Sequence, residues 1–153
     1  MTRPSRDTTA GRVYLDLRAK ARTEGRGTDE LLVLYVLERF LYRLSISEHR
    51  DRFALKGGML LAAFDERRPT RDVDLLGLAI TNDTESVAAV MAEFAAIEVG
   101  DGVSFRPGQL TTRLIREQDV YAAVRVAMPA RVATATLALK STSTSGTRSP
   151  PRP

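Results

Sequence analysis

Helices first and a mixed sheet after them is the architecture this sequence predicts, an α+β (mixed α/β) fold. Residues 29–45 are apolar nearly all round, as a helix buried at the centre of a domain is. The stretches "YAAVRVAMP" and "RVATATLALK" alternate and carry β-branched residues, which reads as strands. Two shorter strand-like segments, 53–56 and 72–80, bracket a Gly-Gly pair and a proline loop. Helices first and strands after them place the chain in this class.

The elements follow in order. Residues 11–25 read as a first helix, with Val13, Leu15 and Leu17 apolar and Gly25 placed to stop it. Thr28 is the expected N-cap of the second helix, 29–45, and Asp29 and Glu30 suit its positive end. "SEHRDRF" is a polar link. "FALK" (53–56) is a strand, Gly57-Gly58 a turn, 59–64 the opening of a helix, and "DERRPTR" (65–71) a loop. Residues 72–80 form a strand and 83–99 a helix with Thr84 as cap; Asp101-Gly102 marks a turn. Extended segments follow at 103–106, 110–117, 120–128 and 131–140.

The 153 residues are enough for one domain with a real core. Absence of cysteine excludes disulfides and thiolate metal sites. No apolar run reaches membrane-spanning length and the N-terminus lacks an apolar signal region, so the cytoplasm is the expected location, with no membrane partner. A net charge of +4 permits a polyanionic partner without requiring one. Residues 141–153 contain no apolar side chain and read as a disordered tail behind a 1–140 domain.

The chemistry is concentrated between residues 56 and 74. In a strand, i and i+2 share a face, so Asp72 and Asp74 project side by side. Two neighbouring carboxylates repel unless a proton or cation lies between them. Mg²⁺ held by carboxylates and substrate phosphates meets that need. Gly57 and Gly58 lack Cβ atoms and precede a helix, so backbone N–H groups there can approach phosphate. Lys56, Arg68 and Arg71 add positive charge and Thr70 a hydroxyl. Taken singly, each part has an ordinary reading: a turn, an exposed strand end, a solvated loop. Together, strand, Gly-Gly, short helix, loop and Asp-x-Asp strand are what the nucleotidyltransferase fold of the polymerase-beta type uses.

The stretches "ERFLYRLSIS", "FALKGGMLL", "RPTRDVDLLG", "DGVSF" and "YAAVRVAMPARV" occur in the order in which similar stretches occur in the AbiEii/AbiGii toxin family of nucleotidyltransferases, which includes the MenT toxins. The resemblance runs from residue 11 to about 140. It implies a toxin of a toxin–antitoxin or phage-defence pair, with a cognate antitoxin protein as partner. It implies transfer of a nucleotide from an NTP to RNA, the tRNA acceptor end in several members, with Mg²⁺ as cofactor. Asp72 and Asp74 match the catalytic, metal-binding pair of that family. Lys56, Gly57, Gly58, Arg68 and Thr70 match its nucleotide-binding stretch, and Met59 stands where a small hydroxyl residue often follows the glycines.

One departure matters. The family carries a third carboxylate on a strand after the "Y-x-x-V-R-V" segment, whereas here no Asp or Glu follows Asp119 and the place holds "STSTSGT", 141–147. Serine codons of the TCN type alternating with threonine codons spell a different text when read two bases downstream. One permitted reading is Val-Asp-Val-Asn-Phe-Gly-Asp-Pro-Ile, with its first aspartate at the position of Thr142. The expectation is a frameshifted toxin with impaired activity. A genuine serine-rich tail on a non-catalytic remnant, binding nucleotide or antitoxin only, is the alternative, and a nucleic-acid-binding module using its basic surface is a third reading. Ending the sheet at Lys140 is expected to leave an exposed strand edge.

Other residues read more simply. His49 is expected on the surface of the polar link. Tyr14, Tyr35, Tyr42 and Tyr121 are expected in core packing. Arg39 and Arg43 are expected to be solvated or paired with Glu38 and Glu48, with RNA contact as the other reading.

Overall fold

The computed structural model describes residues 3–55, 72–78, 80–117 and 121–145. Helix α1 (Thr9–Glu24) starts where the Thr8 hydroxyl oxygen accepts from the Gly11 N–H. It stops at Gly25, whose φ of 68° lies in the left-handed region. There the Arg26 N–H returns to the Ala21 carbonyl, the closure that a glycine at this place permits.

Helix α2 (Thr28–Ile46) begins one residue earlier than expected, because Thr28 is already helical. Gly27 precedes it in extended conformation and supplies no side-chain cap. Asp29 and Glu30 in the first turn complement the helix dipole instead. Its buried face holds Leu32, Val36, Leu37, Phe40 and Leu44.

Strand β1 (Phe53–Leu55) and strand β2 (Asp72–Gly77) come next, then helix α3 (Thr84–Ala95). Asp83, not Thr84, caps α3, its carboxylate accepting from the Ser86 N–H at 2.7 Å. Strands β3 (Val103–Phe105) and β4 (Thr111–Glu117) flank a short 3₁₀ turn at Pro107–Gln109. Strands β5 (Tyr121–Val132) and β6 (Ala135–Ser145) complete a six-stranded sheet ordered β1-β2-β6-β5-β3, with β4 also paired to β5. The β2–β6 pairing is parallel and the others are antiparallel.

Two expectations fail here, both for physical reasons. The break expected between 128 and 131 is absent, and β5 runs straight through Pro129. The Pro129 carbonyl accepts from the Arg106 N–H, so its missing N–H falls in the gap between the β4-paired and β3-paired parts of the strand. The chain turns instead at Ala133, with φ 55°, and Thr134. The sheet also does not end at Lys140. Strand β6 continues through Ser145, held by β2 on one side and β5 on the other, so residues 141–145 form interior strand rather than tail or exposed edge.

The core lies between one sheet face and the helices α2 and α3. Phe40 packs on Phe94 and Phe105, with ring centroids 4.8 and 5.8 Å away. From the sheet come Val73, Leu75, Val124, Val126, Met128 and Leu139. Tyr14 and Tyr35 pack against this core as expected. Tyr42 does not; it is exposed beneath the Arg39 guanidinium, 4.4 Å from its ring centroid.

Arg43 is 2% exposed and all five of its N–H groups are used. They reach the carbonyls of Ile97, Arg39 and Val103 and both carboxylate oxygens of Asp101. Arg39 donates to the same Asp101 carboxylate at 2.9 Å. Burial pushes the Asp101 carboxyl up, but hydrogen bonds from Arg43 and the Val103 N–H, with the charges of Arg43 and Arg39, more than offset it and hold the group below the usual carboxylate range. These arginines therefore bind the 97–103 segment to α2. Glu48 is not the partner of Arg43, and of the two expected acids only Glu38 contributes, to Arg39.

Candidate active site

Alternation along β2 sorts its side chains onto two faces. Val73 and Leu75 are fully buried toward the helices, whereas Asp72 and Asp74 are half-buried on the other face. The strand thus places both carboxylates side by side, as the i, i+2 spacing requires. Leu55, where β1 ends, pairs with Leu75, adjacent to Asp74. Lys56, Gly57, Gly58, Arg68 and Thr70, together with the helix expected at 59–64, lie outside the described residues.

The neighbouring strand carries the main surprise. In the parallel β2–β6 register, Asp72 pairs with Lys140, Val73 with Ser141, Asp74 with Thr142 and Leu75 with Ser143. Thr142 therefore sits beside Asp74 on the same face, half-buried. Ser141 and Ser143 fall on the core face and are 0% exposed. The Ser143 hydroxyl donates to the Asn82 side-chain oxygen at 3.3 Å. The Ser141 hydroxyl has no partner among the described residues. A buried hydroxyl without a hydrogen bond costs about 1–3 kcal/mol.

The donor set fits a magnesium ion in part. Two half-buried carboxylates on one strand face match the pattern in which one or two carboxylates share Mg²⁺ with substrate phosphates. Thr142, the group next to Asp74, brings a hydroxyl where another carboxylate would add charge.

Among the described residues, a different group satisfies metal-ligand spacing: Glu48, His49 and Glu93, whose ligand atoms lie within 4.8 Å of one another. His49 is 7% exposed, contrary to the surface position expected of it, and its Nε2 contacts the Glu93 carboxylate. That contact ties the link after α2 to α3. The burial was not legible in "SEHRDRF" because its cause, helix α3, lies more than thirty residues downstream.

A mixed sheet with helices packed on one face and an Asp-x-Asp strand on the other is consistent with a nucleotidyltransferase-type domain. The comparison with protein families makes the assignment specific. The family model described as "Nucleotidyl transferase AbiEii toxin, Type IV TA system" matches residues 39–149, and the chain belongs to that family. The match extends across the "STSTSGT" stretch. No curated protein and no solved structure matches the chain. Among the described residues, no helix is long and apolar enough to cross a membrane.

Proposed function

We propose that the chain is a nucleotidyltransferase toxin whose Asp72 and Asp74 hold Mg²⁺ and whose acceptor is RNA, the tRNA acceptor end in particular. Lys56, Gly57, Gly58, Arg68 and Thr70 hold the NTP phosphates. The observation that carries this reading is the pair of half-buried carboxylates on one face of β2 in a chain of the AbiEii family. In the reaction, an RNA hydroxyl oxygen bonds to the α-phosphorus, the bond to pyrophosphate breaks, and the hydroxyl proton passes to solvent. When bound, Mg²⁺ neutralises phosphate charge and lowers the cost of that displacement. A cognate antitoxin follows from the family.

Activity is impaired in this reading. Thr142 occupies the register position beside Asp74, and by analogy with removing one electrostatic stabiliser from an active site, a missing carboxylate there costs about 10²–10³ in rate. The frameshift reading gains support from the burial pattern. The alternative text puts Val at 141 and 143, where the core face is fully buried, and Asp at 142, on the Asp74 face. The same observations favour a second reading, a remnant that binds nucleotide or antitoxin and transfers nothing.

Incubation with tRNA, labelled NTPs and Mg²⁺ separates the two. Slow transfer that disappears in Asp72→Ala supports the enzyme. Mg²⁺-dependent NTP binding without transfer supports the remnant. Absence of both removes the proposal. The DNA sequence of codons 140–149 decides the frameshift, since codons unable to spell aspartate in the shifted frame end it.

A further inference from the structure

The sheet register builds a feature on the Asp74 face that the proposed chemistry has not used. Paired residues of neighbouring strands share a face, so Asp74, Thr142, Arg125 and Arg113 form one row across β2, β6, β5 and β4. The row is acidic at β2, neutral at β6 and basic at β5 and β4. Lys140, paired with Asp72, stands one row away on the same face. Arg113, Arg125 and Lys140 are all exposed. None has a carboxylate or hydrogen-bond partner among the described residues.

Two like charges directly opposite across a strand pair destabilise the sheet. Arg113 and Arg125 are such a pair. A cation on edge strand β4 guards against edge-to-edge pairing, which accounts for Arg113. That reason does not extend to Arg125, because β5 is an interior strand. An anion lying across the row relieves the repulsion, and phosphate fits the planar, forked guanidinium better than other anions.

Position in the sheet selects which phosphate. Strand β1, which leads into the Lys56-Gly57-Gly58 stretch, borders β2 on the side away from β6. Arg125 lies on the other flank, two strands or about 10 Å from Asp74. In phosphoryl transfer the attacking and leaving oxygens stand roughly in line, on opposite sides of the reacting phosphorus. With the NTP phosphates on the glycine side, the acceptor enters from the β5 side. We infer that Arg125 and Arg113, flanked by Lys140, seat the phosphodiester backbone of the acceptor RNA. The inference rests on the nucleotidyltransferase reading for its direction, and on the register alone for its residues.

The test uses the full chain and two binding assays that need no turnover. One is the anisotropy of fluorescein-labelled tRNA across a salt series. The other is Mg²⁺-dependent binding of a fluorescent ATP analogue. Arg125→Gln with Arg113→Gln weakens tRNA binding, and the slope of log affinity against log salt falls by roughly 0.7–0.9 per arginine removed. Binding of the ATP analogue stays unchanged. Thermal unfolding of the double variant occurs at or above the wild-type temperature, because a repulsive pair has gone. Arg18→Gln with Arg22→Gln on α1 leaves the tRNA slope within half that change. An unaltered tRNA slope in the Arg113/Arg125 variant overturns the inference. So does loss of ATP-analogue binding with tRNA binding intact, which reassigns the row to the triphosphate. Failure of the nucleotidyltransferase reading shows separately, as ATP-analogue binding indifferent to Mg²⁺ and to Asp74→Asn.

Discussion

Two regions of this domain bury polar side chains, and they do so in opposite ways. At Arg43 every N–H finds an acceptor, Asp101 answers with both carboxylate oxygens, and the Phe105 ring lies 5.0 Å beneath the guanidinium. In the last residues of β6, Ser141 is equally inaccessible yet its hydroxyl has no hydrogen-bond partner among the described residues. The first is a polar group the fold is built around. The second is a polar group on the core face of the sheet that the fold leaves unsatisfied. The comparison teaches that burial alone says little about whether a residue belongs where it stands; satisfaction of its hydrogen bonds says more.

The difference can be broken by mutation, with the largest effect at the satisfied site. Asp101→Ala leaves the Arg43 charge buried without its carboxylate and is expected to cost about 3–5 kcal/mol, read by urea unfolding. A cost under 1 kcal/mol would make the knot ornamental. Next comes Thr142→Asp, which adds a carboxylate beside Asp74 and is expected to raise nucleotide transfer to tRNA by about 10²–10³. No gain, in a variant that still binds NTP, argues for the remnant.

Smaller effects sharpen the picture. Ser141→Val removes the orphan hydroxyl and is expected to stabilise the domain by roughly 1 kcal/mol. Ser143→Val is expected to give less, because it sacrifices the bond to Asn82. The smallest effect concerns pH. Asp101 is depressed in the folded state, so its stabilising contribution is complete above the usual aspartate pKa, about 3.9. That contribution is lost as pH falls through the lower folded value. Asp101→Asn should therefore flatten the acid limb of stability against pH below about pH 4, measured by urea midpoints at successive pH values.

Local signals made much of this fold legible. The all-round apolar pattern of residues 31–44 and the left-handed stop at Gly25 are properties of the sequence nearby. The i, i+2 aspartates needed only a strand. What escaped depends on distant partners. Ser and Thr carry no apolar signal, so the outer half of β6 was invisible until β2 and β5 held it from both sides. Ala133 in the left-handed region gives no glycine or asparagine to announce a turn, and Pro129 suggests a break where β5 only passes from its β4 partner to its β3 partner. Arg43 found its partner 58 residues away rather than in Glu48, five residues on.

The most direct measurement is a titration of the wild-type chain and of Asp74→Asn with a fluorescent ATP analogue, with and without Mg²⁺. Wild-type binding that strengthens at least tenfold with Mg²⁺, and an Asp74→Asn variant that folds normally but loses that response, is the predicted result. Equal affinity in the two proteins, or no response to Mg²⁺ in either, would contradict a nucleotide site organised by the acidic face of β2.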